Sequence, residues 1–250
     1  MRDHPLFLNA GNAGPFTLDG TRTYLVGRDT VAIIDPGPDV EDHVRALACA
    51  VAAAADVKIV LTHGHPDHAG AVRALAERTG ASVYGPDGIG DVTQVIRDGD
   101  RIETDQGSLV AVHTPGHTRE HLCLLWVERS ALFAGDHLLG QGDTTWVAEY
   151  PGCVADYLSS LERLRTLDLD VVYPAHGPPL QDPTAAIDRF DHHRRARIRQ
   201  VEEALARHPT ADARRLLEVV YGDSLPRGME SPALQSLGAL LEYVRDLRPS

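Results

Sequence analysis

The sequence predicts an α/β fold, with β-sheets packed together and helices outside, followed by a small helical domain at the C-terminus. Three observations predict it. Short apolar runs rich in β-branched residues alternate with helical patterns over the first two-thirds of the 250 residues. After Pro174 to Pro179 and Gln181-Asp182-Pro183 the character changes, and only helical patterns follow. The composition, 43% hydrophobic and 24% charged, is that of a globular chain, and the length suits one large domain or one domain plus a small appendage. The expected domains are residues 1–183 and 184–250.

Each element has its own signal. Thr23 to Gly27 and Val31 to Asp35 read as hairpin strands joined around Arg28-Asp29. The Pro36-Gly-Pro turn then breaks the chain, and Asp39 is the expected N-cap of an Ala-rich helix from Val40 to Ala54. The run VKIVLT is a buried strand leading straight into His63. The next helix carries Val72, Leu75 and Ala76 on one face and stops at Gly80. Further strands are expected at SLVAVH, LCLLWV, ALFAG and DVVYPA, with an amphipathic helix from Val154 to Leu167 before the last. The tail reads as a long arginine-rich helix to Arg207, a helix from Ala211 to Tyr221 capped by Thr210, and one opened by Ser231-Pro232.

Bulk properties narrow the function. No apolar run reaches the roughly 18 residues that would span a membrane. The start lacks a basic segment followed by an apolar one, so no export signal and a cytoplasmic location are expected. A net charge of −12 with a single lysine, Lys58, argues against general binding to nucleic acid. Cys49, Cys123 and Cys153 form no C-x-x-C pair, which points neither to a disulfide framework nor to a thiolate metal site.

The chemistry concentrates in His63-Gly-His65-Pro-Asp67-His68, a loop between a strand and a helix. Three imidazoles and a carboxylate so close together suit a borderline metal such as zinc. His63 and His65 can share one face, and Asp67 and His68 lie just beyond, so the loop can serve two neighbouring ions. Three later segments repeat the style, each a strand end followed by a glycine turn: His113-Thr-Pro-Gly-His117-Thr, Phe133-Ala-Gly-Asp136-His137 and Tyr173-Pro-Ala-His176-Gly.

This ordered set resembles the metallo-β-lactamase superfamily over residues 20–180. The resemblance implies an αββα four-layer sandwich with metals at one edge of the paired sheets. It implies that His63, His65 and His117 bind a first zinc, that Asp67, His68 and His176 bind a second, and that Asp136 bridges both. Asp35 matches an aspartate that supports the metal loop from behind. Iron or manganese could occupy the same ligands. Two such ions about 3.5–4 Å apart can hold a bridging water, lower its pKa toward about 7 and polarise a scissile carbonyl. Asp67 would also orient the nucleophile. His121 either meets a developing oxyanion or supports a ligand loop, while His113 and His137 are expected to play supporting or buried roles. Trp146 and Tyr150 either wall the pocket or pack in the core.

The expected reaction is therefore hydrolysis by a metal-bridging hydroxide, on a small-molecule or carrier-bound thioester, ester or lactone. The alternative is a metal-dependent endoribonuclease acting on single-stranded RNA. TYLVG, AIIDPG, HTPGHTREH, GDHLLG, DYLSSLERL, PAHGP and HHRRARIRQ are most similar to a branch of β-lactamase-like proteins that includes a small endoribonuclease, whose tail resembles a winged helix. In that reading His192, His193, Arg194, Arg195, Arg197 and Arg199 contact phosphates or an acidic carrier; otherwise they form a solvated, ion-paired helix face. The 40 residues from Asp136 to His176 leave no room for the large inserted domain of RNA-processing nucleases, and nothing resembles a flavin domain or the basic glutathione-binding residues of glyoxalase II.

Overall fold

A computed structural model describes residues 4–222, 225 and 228–247. The chain forms two compact units: Met1–Thr114, Glu120–Gly142 and Leu167–Pro183 make the first, and Pro115–Arg119, Asp143–Thr166 and Thr184–Ser250 the second.

The first unit holds two mixed sheets. In one, β1 (Leu6–Asn9), β2 (Arg22–Val26), β3 (Thr30–Ile34), β4 (Asp56–Val60), β5 (Ser82–Gly85) and β6 (Gln94–Val95) lie side by side in that order. The hairpin β2–β3 is antiparallel, and β3, β4, β5 and β6 run parallel. The parallel crossovers carry the helices α1 (Glu41–Ala50), α2 (Pro66–Ala69) and α3 (Val72–Thr79), as a parallel connection requires. In the other sheet, β7 (Arg101–Thr104), β8 (Gly107–His113), β9 (Leu122–Trp126), β10 (Ala131–Gly135) and β11 (Val171–Pro174) are neighbours in sequence order, with only β10–β11 parallel.

Period-2 alternation decides which face each side chain serves. Tyr24, Val26, Ala32 and Ile34 point between the sheets, where they meet Leu109, Ala111, Leu124, Trp126, Phe133 and Tyr173. Their neighbours Leu25, Val31 and Ile33 point the other way, onto Val44 and Leu47 of α1 and Val72 and Leu75 of α3. Both faces of β2 and β3 are thus buried, which is why these two strands read as continuous apolar runs.

The second unit contains α4 (Cys153–Arg165), α5 (Pro183–Arg207), α6 (Ala213–Tyr221) and α7 (Glu230–Asp246). Helix α7 packs on α4 and α6, burying Leu237, Leu240 and Val244 together with Leu161, Leu164 and Leu216. Among the described residues of 184–247 there is no strand, so likeness to a winged helix rests on helices alone. No helix among the described residues is long and apolar enough to cross a membrane.

Three helix starts differ from expectation. Val40, not Asp39, is the N-cap of α1, and no side chain caps it. Asp212 caps α6 in place of Thr210, accepting a bond from the Arg215 amide at 2.8 Å. Helix α7 begins one residue before Ser231, so Pro232 falls in the first turn, where no intrahelical donor is needed. Strands β1, β5, β6 and β7 were not expected from the sequence pattern.

Candidate metal centre

Four of the expected site residues follow directly from strand ends. Asp35 follows β3, His63 comes three residues after β4, Asp136 follows β10, and His176 comes two residues after β11. The parallel pairs β3–β4 and β10–β11 each end at one edge of their sheet, and polar loops beyond carboxyl strand ends are where α/β sheets gather ligands. The two sheets are tied at this edge by the Leu122 amide, which donates to the Thr62 carbonyl at 2.9 Å.

Two groups of donors assemble in the first unit. One atom each from His63, His65 and Asp136 lie within 4.8 Å of one another, and so do one each from Asp67, His68 and His176. Asp136 also faces the second group: its Oδ1 is 3.4 Å from His68 Nε2 and 3.2 Å from His176 Nε2. His176 Nε2 stands 3.3 Å from Asp67 Oδ2. His63, His68 and His176 are fully buried, whereas the Asp67 side chain is 29% exposed.

The imidazoles are aimed by what holds their other nitrogens. Asp35 Oδ2 accepts from His68 Nδ1 at 2.9 Å and from Thr62 Oγ1 at 2.7 Å, while its Oδ1 accepts from the Thr62 amide at 2.8 Å. Asp35 itself sits in the left-handed region with φ of 49°, a conformation aspartate tolerates better than most residues. His176 Nδ1 donates to the Gly20 carbonyl at 3.3 Å, and His63 Nδ1 lies 3.0 Å from Thr62 Oγ1. A histidine so fixed at Nδ1 presents Nε2 to a ligand.

The charge balance fits cations. Burial works against a charged His68, yet the nearby carboxylates of Asp136 and Asp35 raise its pKa well above the usual imidazole range. Burial likewise works against a charged His176, yet the nearby carboxylates of Asp136 and Asp67 raise it. Burial would raise Asp67, but His176 and His68 more than offset it and the carboxyl is lowered. His68 Nε2 and His176 Nε2 are nevertheless buried without a well-formed hydrogen bond. Buried polar atoms without partners are costly, and imidazole nitrogens facing carboxylates across 3.2–3.4 Å form a nitrogen–oxygen donor set that divalent zinc, iron or manganese would satisfy.

The remaining expected residues fall as follows. His121 is fully buried; its Nδ1 lies 3.0 Å from Thr114 Oγ1, and its Nε2 accepts from the Asp136 amide at 3.3 Å. His137 is buried with its ring centroid 5.8 Å from that of His121, and His113 is exposed with its amide donating to Asp98. His117 belongs to the segment Pro115–Arg119 of the second unit, where its Nδ1 donates to the Trp146 carbonyl at 2.8 Å. Tyr150 donates its hydroxyl to Asp156 at 2.9 Å and lies under the Arg119 guanidinium. Sequence reasoning missed Thr62, Thr114 and Gly20. Thr62 carried a signal, as a hydroxyl between a buried strand and a ligand pair; the other two carried none.

Gly135 shows how tightly this edge is built. Its φ is 49°, and a Cβ there would stand 2.7 Å from both His121 Nε2 and Thr62 Oγ1. Gly135→Ala is expected to cost about 2–4 kcal/mol from overpacking plus backbone strain, measured as a shift in the denaturant midpoint.

Comparison with known proteins agrees with this geometry. The description of the metallo-beta-lactamase superfamily matches residues 16–93 and 88–176. The chain is 31% identical over 244 residues to beta-lactamase-like protein 2 homolog of Caenorhabditis elegans, covering 92% of this chain and 80% of that protein. It is 34% identical over 245 residues to atrochrysone carboxyl ACP thioesterase of Aspergillus chevalieri, covering 90% and 75%. It spans only 62–65% of the length of four lactamase-like relatives that it also matches. A crystal structure of a metallo-beta-lactamase family protein from Thermus thermophilus superposes with a TM-score of 0.77 at 24% identity, over 98% of this chain and 93% of that one, so the two share a fold. With more than half of its length matched by the family description, the chain belongs to the metallo-β-lactamase superfamily.

Proposed function

We propose that the chain is a dinuclear metal-dependent hydrolase acting on an acyl thioester, or a related ester or lactone, carried by a small molecule or a carrier protein. Residues 1–183 form its catalytic domain and 184–250 a helical appendage. The observation that carries the reading is the convergence of His68 Nε2 and His176 Nε2, both buried without a well-formed hydrogen bond, on Asp136 Oδ1 beside the His63–His65 pair. His63, His65 and His117 would hold one ion, Asp67, His68 and His176 the other, and Asp136 would serve both. When bound, such ions supply a Lewis acid for the carbonyl oxygen and make water acidic enough to attack at neutral pH.

The protein's own groups do the rest. Hydrolysis adds a water oxygen to the acyl carbon, breaks the C–S bond and needs an acceptor for the water's proton. Asp67 supplies it: among the three residues of its group it alone is reached by solvent, and its lowered pKa keeps it anionic at neutral pH. The thiolate leaves without a strong acid, because a thiol pKa is about 8.5. His121 acts as a positioning residue in this reading, since its ring nitrogens face Thr114 and the Asp136 amide rather than open space. Asp67→Asn is expected to lower kcat by about 10²–10⁴-fold, the range for losing a positioned base, with a smaller change in KM.

The thioester reading is favoured over RNA cleavage by the fate of the basic patch. Arg195 pairs with Asp191 at 2.9 Å and with Glu162 at 3.3 Å. Arg197 stacks on Tyr221 and donates to Gln200, His193 meets Asp143, and Arg194 is buried. These four offer little to a phosphate backbone, and of the six only His192 and Arg199 stay exposed outside such contacts. The name of the Aspergillus chevalieri relative, an ACP thioesterase, points the same way. The test is hydrolysis by the zinc-loaded protein of acyl-pantetheine and acyl-carrier thioesters beside an end-labelled single-stranded RNA. Thioester turnover with intact RNA is the expected result; RNA cleavage without thioester turnover would overturn the reading.

A further inference from the structure

The second unit contains a buried cation that the roles above leave unused. Arg194, on α5, is 3% exposed. Its Nη2 donates to the Thr145 carbonyl at 3.0 Å, and its guanidinium carbon lies 5.3 Å from the Tyr157 ring centroid. Its Nε has no hydrogen-bond partner, and no carboxylate lies within ion-pair distance of it among the described residues. A buried charge without a counter-ion costs several kcal/mol, and an apolar side chain of similar volume would fill this place more cheaply. An apolar side chain could not, however, hold the Thr145 carbonyl.

The adjacent residue grips the same segment. His193 Nδ1 lies 3.0 Å from Asp143 Oδ2, so two consecutive residues of α5 fix Asp143 and Thr145. The next carbonyl along, that of Trp146, accepts the 2.8 Å hydrogen bond from His117 Nδ1. A histidine whose Nδ1–H is donated to a carbonyl keeps its lone pair on Nε2 and its ring in one orientation.

We propose that Arg194, assisted by His193, is a positioning residue for His117: α5 clamps Asp143–Thr145, and the Trp146 carbonyl thereby holds His117 with Nε2 presented as a ligand. The inference rests on the proposed reading of His117 as a metal ligand. It gives the arginine-rich stretch of α5 a task other than binding polyanions.

The experiment is equilibrium dialysis of the full chain against buffered zinc, for wild type, Arg194→Lys, His193→Ala and His117→Ala, with amide hydrogen exchange over residues 143–147. Lysine keeps the charge and most of the volume but lacks the guanidinium fork, and His193→Ala removes a partly exposed side chain, so the two variants disturb the segment by different routes. His117→Ala is expected to lose one of two zinc equivalents. Arg194→Lys is expected to weaken that same equivalent about 10–100-fold, the usual effect of removing a partner that orients a ligand, and to speed exchange at 143–147. Combining it with His117→Ala should add nothing further to zinc binding. Two wild-type equivalents in His117→Ala would overturn the ligand reading itself. Loss of one equivalent in His117→Ala, with wild-type zinc affinity in folded Arg194→Lys and His193→Ala, would overturn the positioning role alone.

Discussion

Replacing Asp136 by alanine is expected to lower the proposed thioester hydrolysis by about 10³-fold or more, because in the proposed centre several kcal/mol of metal-supplied stabilisation would depend on this carboxylate. It is the group that faces both donor sets. Its Oδ1 lies 3.2–3.4 Å from two imidazole nitrogens of one set, and one of its carboxylate oxygens lies within 4.8 Å of His63 and His65 in the other. Without it, each proposed site would be incomplete, and the retained metal is expected to fall below two equivalents. The same substitution bears on the apo protein. The carboxylates of Asp136 and Asp35 raise His68, so His68 is protonated in the fold at pH values where it would be neutral unfolded. That contribution to stability is present below about pH 6.5, the unfolded value, and is lost as pH rises through the raised folded value. Asp136→Ala therefore weakens the apo fold on the acid side more than on the alkaline side, which denaturant titrations at two pH values would show. Full activity and two retained equivalents in the variant would contradict the bridging role.

The second large effect is expected at Asp35, which touches no ion in this account. Asp35→Ala strips acceptors from the Thr62 amide, the Thr62 hydroxyl and His68 Nδ1, all buried. Leaving buried donors unsatisfied costs about 1–3 kcal/mol each, so a loss of about 3–5 kcal/mol is expected after partial relaxation. Alanine at a φ of 49° adds strain. Asp35→Asn separates stability from orientation. Its oxygen still accepts from the Thr62 amide, but its NH₂ donates where the carboxylate accepted, which pushes the His68 proton to Nε2. A nitrogen carrying a proton cannot ligate. Asn is accordingly expected to fold with a small loss of stability and to weaken one zinc equivalent about 10–100-fold. An Asn variant with wild-type zinc affinity would show that Asp35 serves the fold alone.

How much of this was legible in the sequence depends on the range of the contact. His63 to His68 are close in the chain and lie between a buried strand and a helix, so both the ligand types and their turn were visible together. The strands that lead into the other proposed ligands, β8, β10 and β11, are apolar runs buried in the unit, and such runs announce themselves. Strand β1 does not: Leu6 and Phe7 are exposed and no face of it is deeply buried, so its pattern has no period to detect. Strand β7 buries Ile102 alone. Caps misled for a different reason. Thr210 and Asp212 are two residues apart and both suit an N-cap, and the backbone that chooses between them is set by packing rather than by side-chain preference. Asp35 was visible among the partners of the imidazoles, but the backbone carbonyls were out of reach. His176 finds the Gly20 carbonyl across 156 residues, and Arg194 finds that of Thr145 across 49, through backbone atoms that every residue possesses. A charged run such as His192 to Arg199 looks like a solvated face whether or not one member turns inward.

The most direct test of the central claim is a zinc titration of metal-free protein, with bound metal and thioester turnover followed in the same samples. No turnover is expected without metal, and turnover is expected to reach a plateau at two bound equivalents per chain. Turnover by the metal-free protein, or saturation of binding at one equivalent, would contradict the claim.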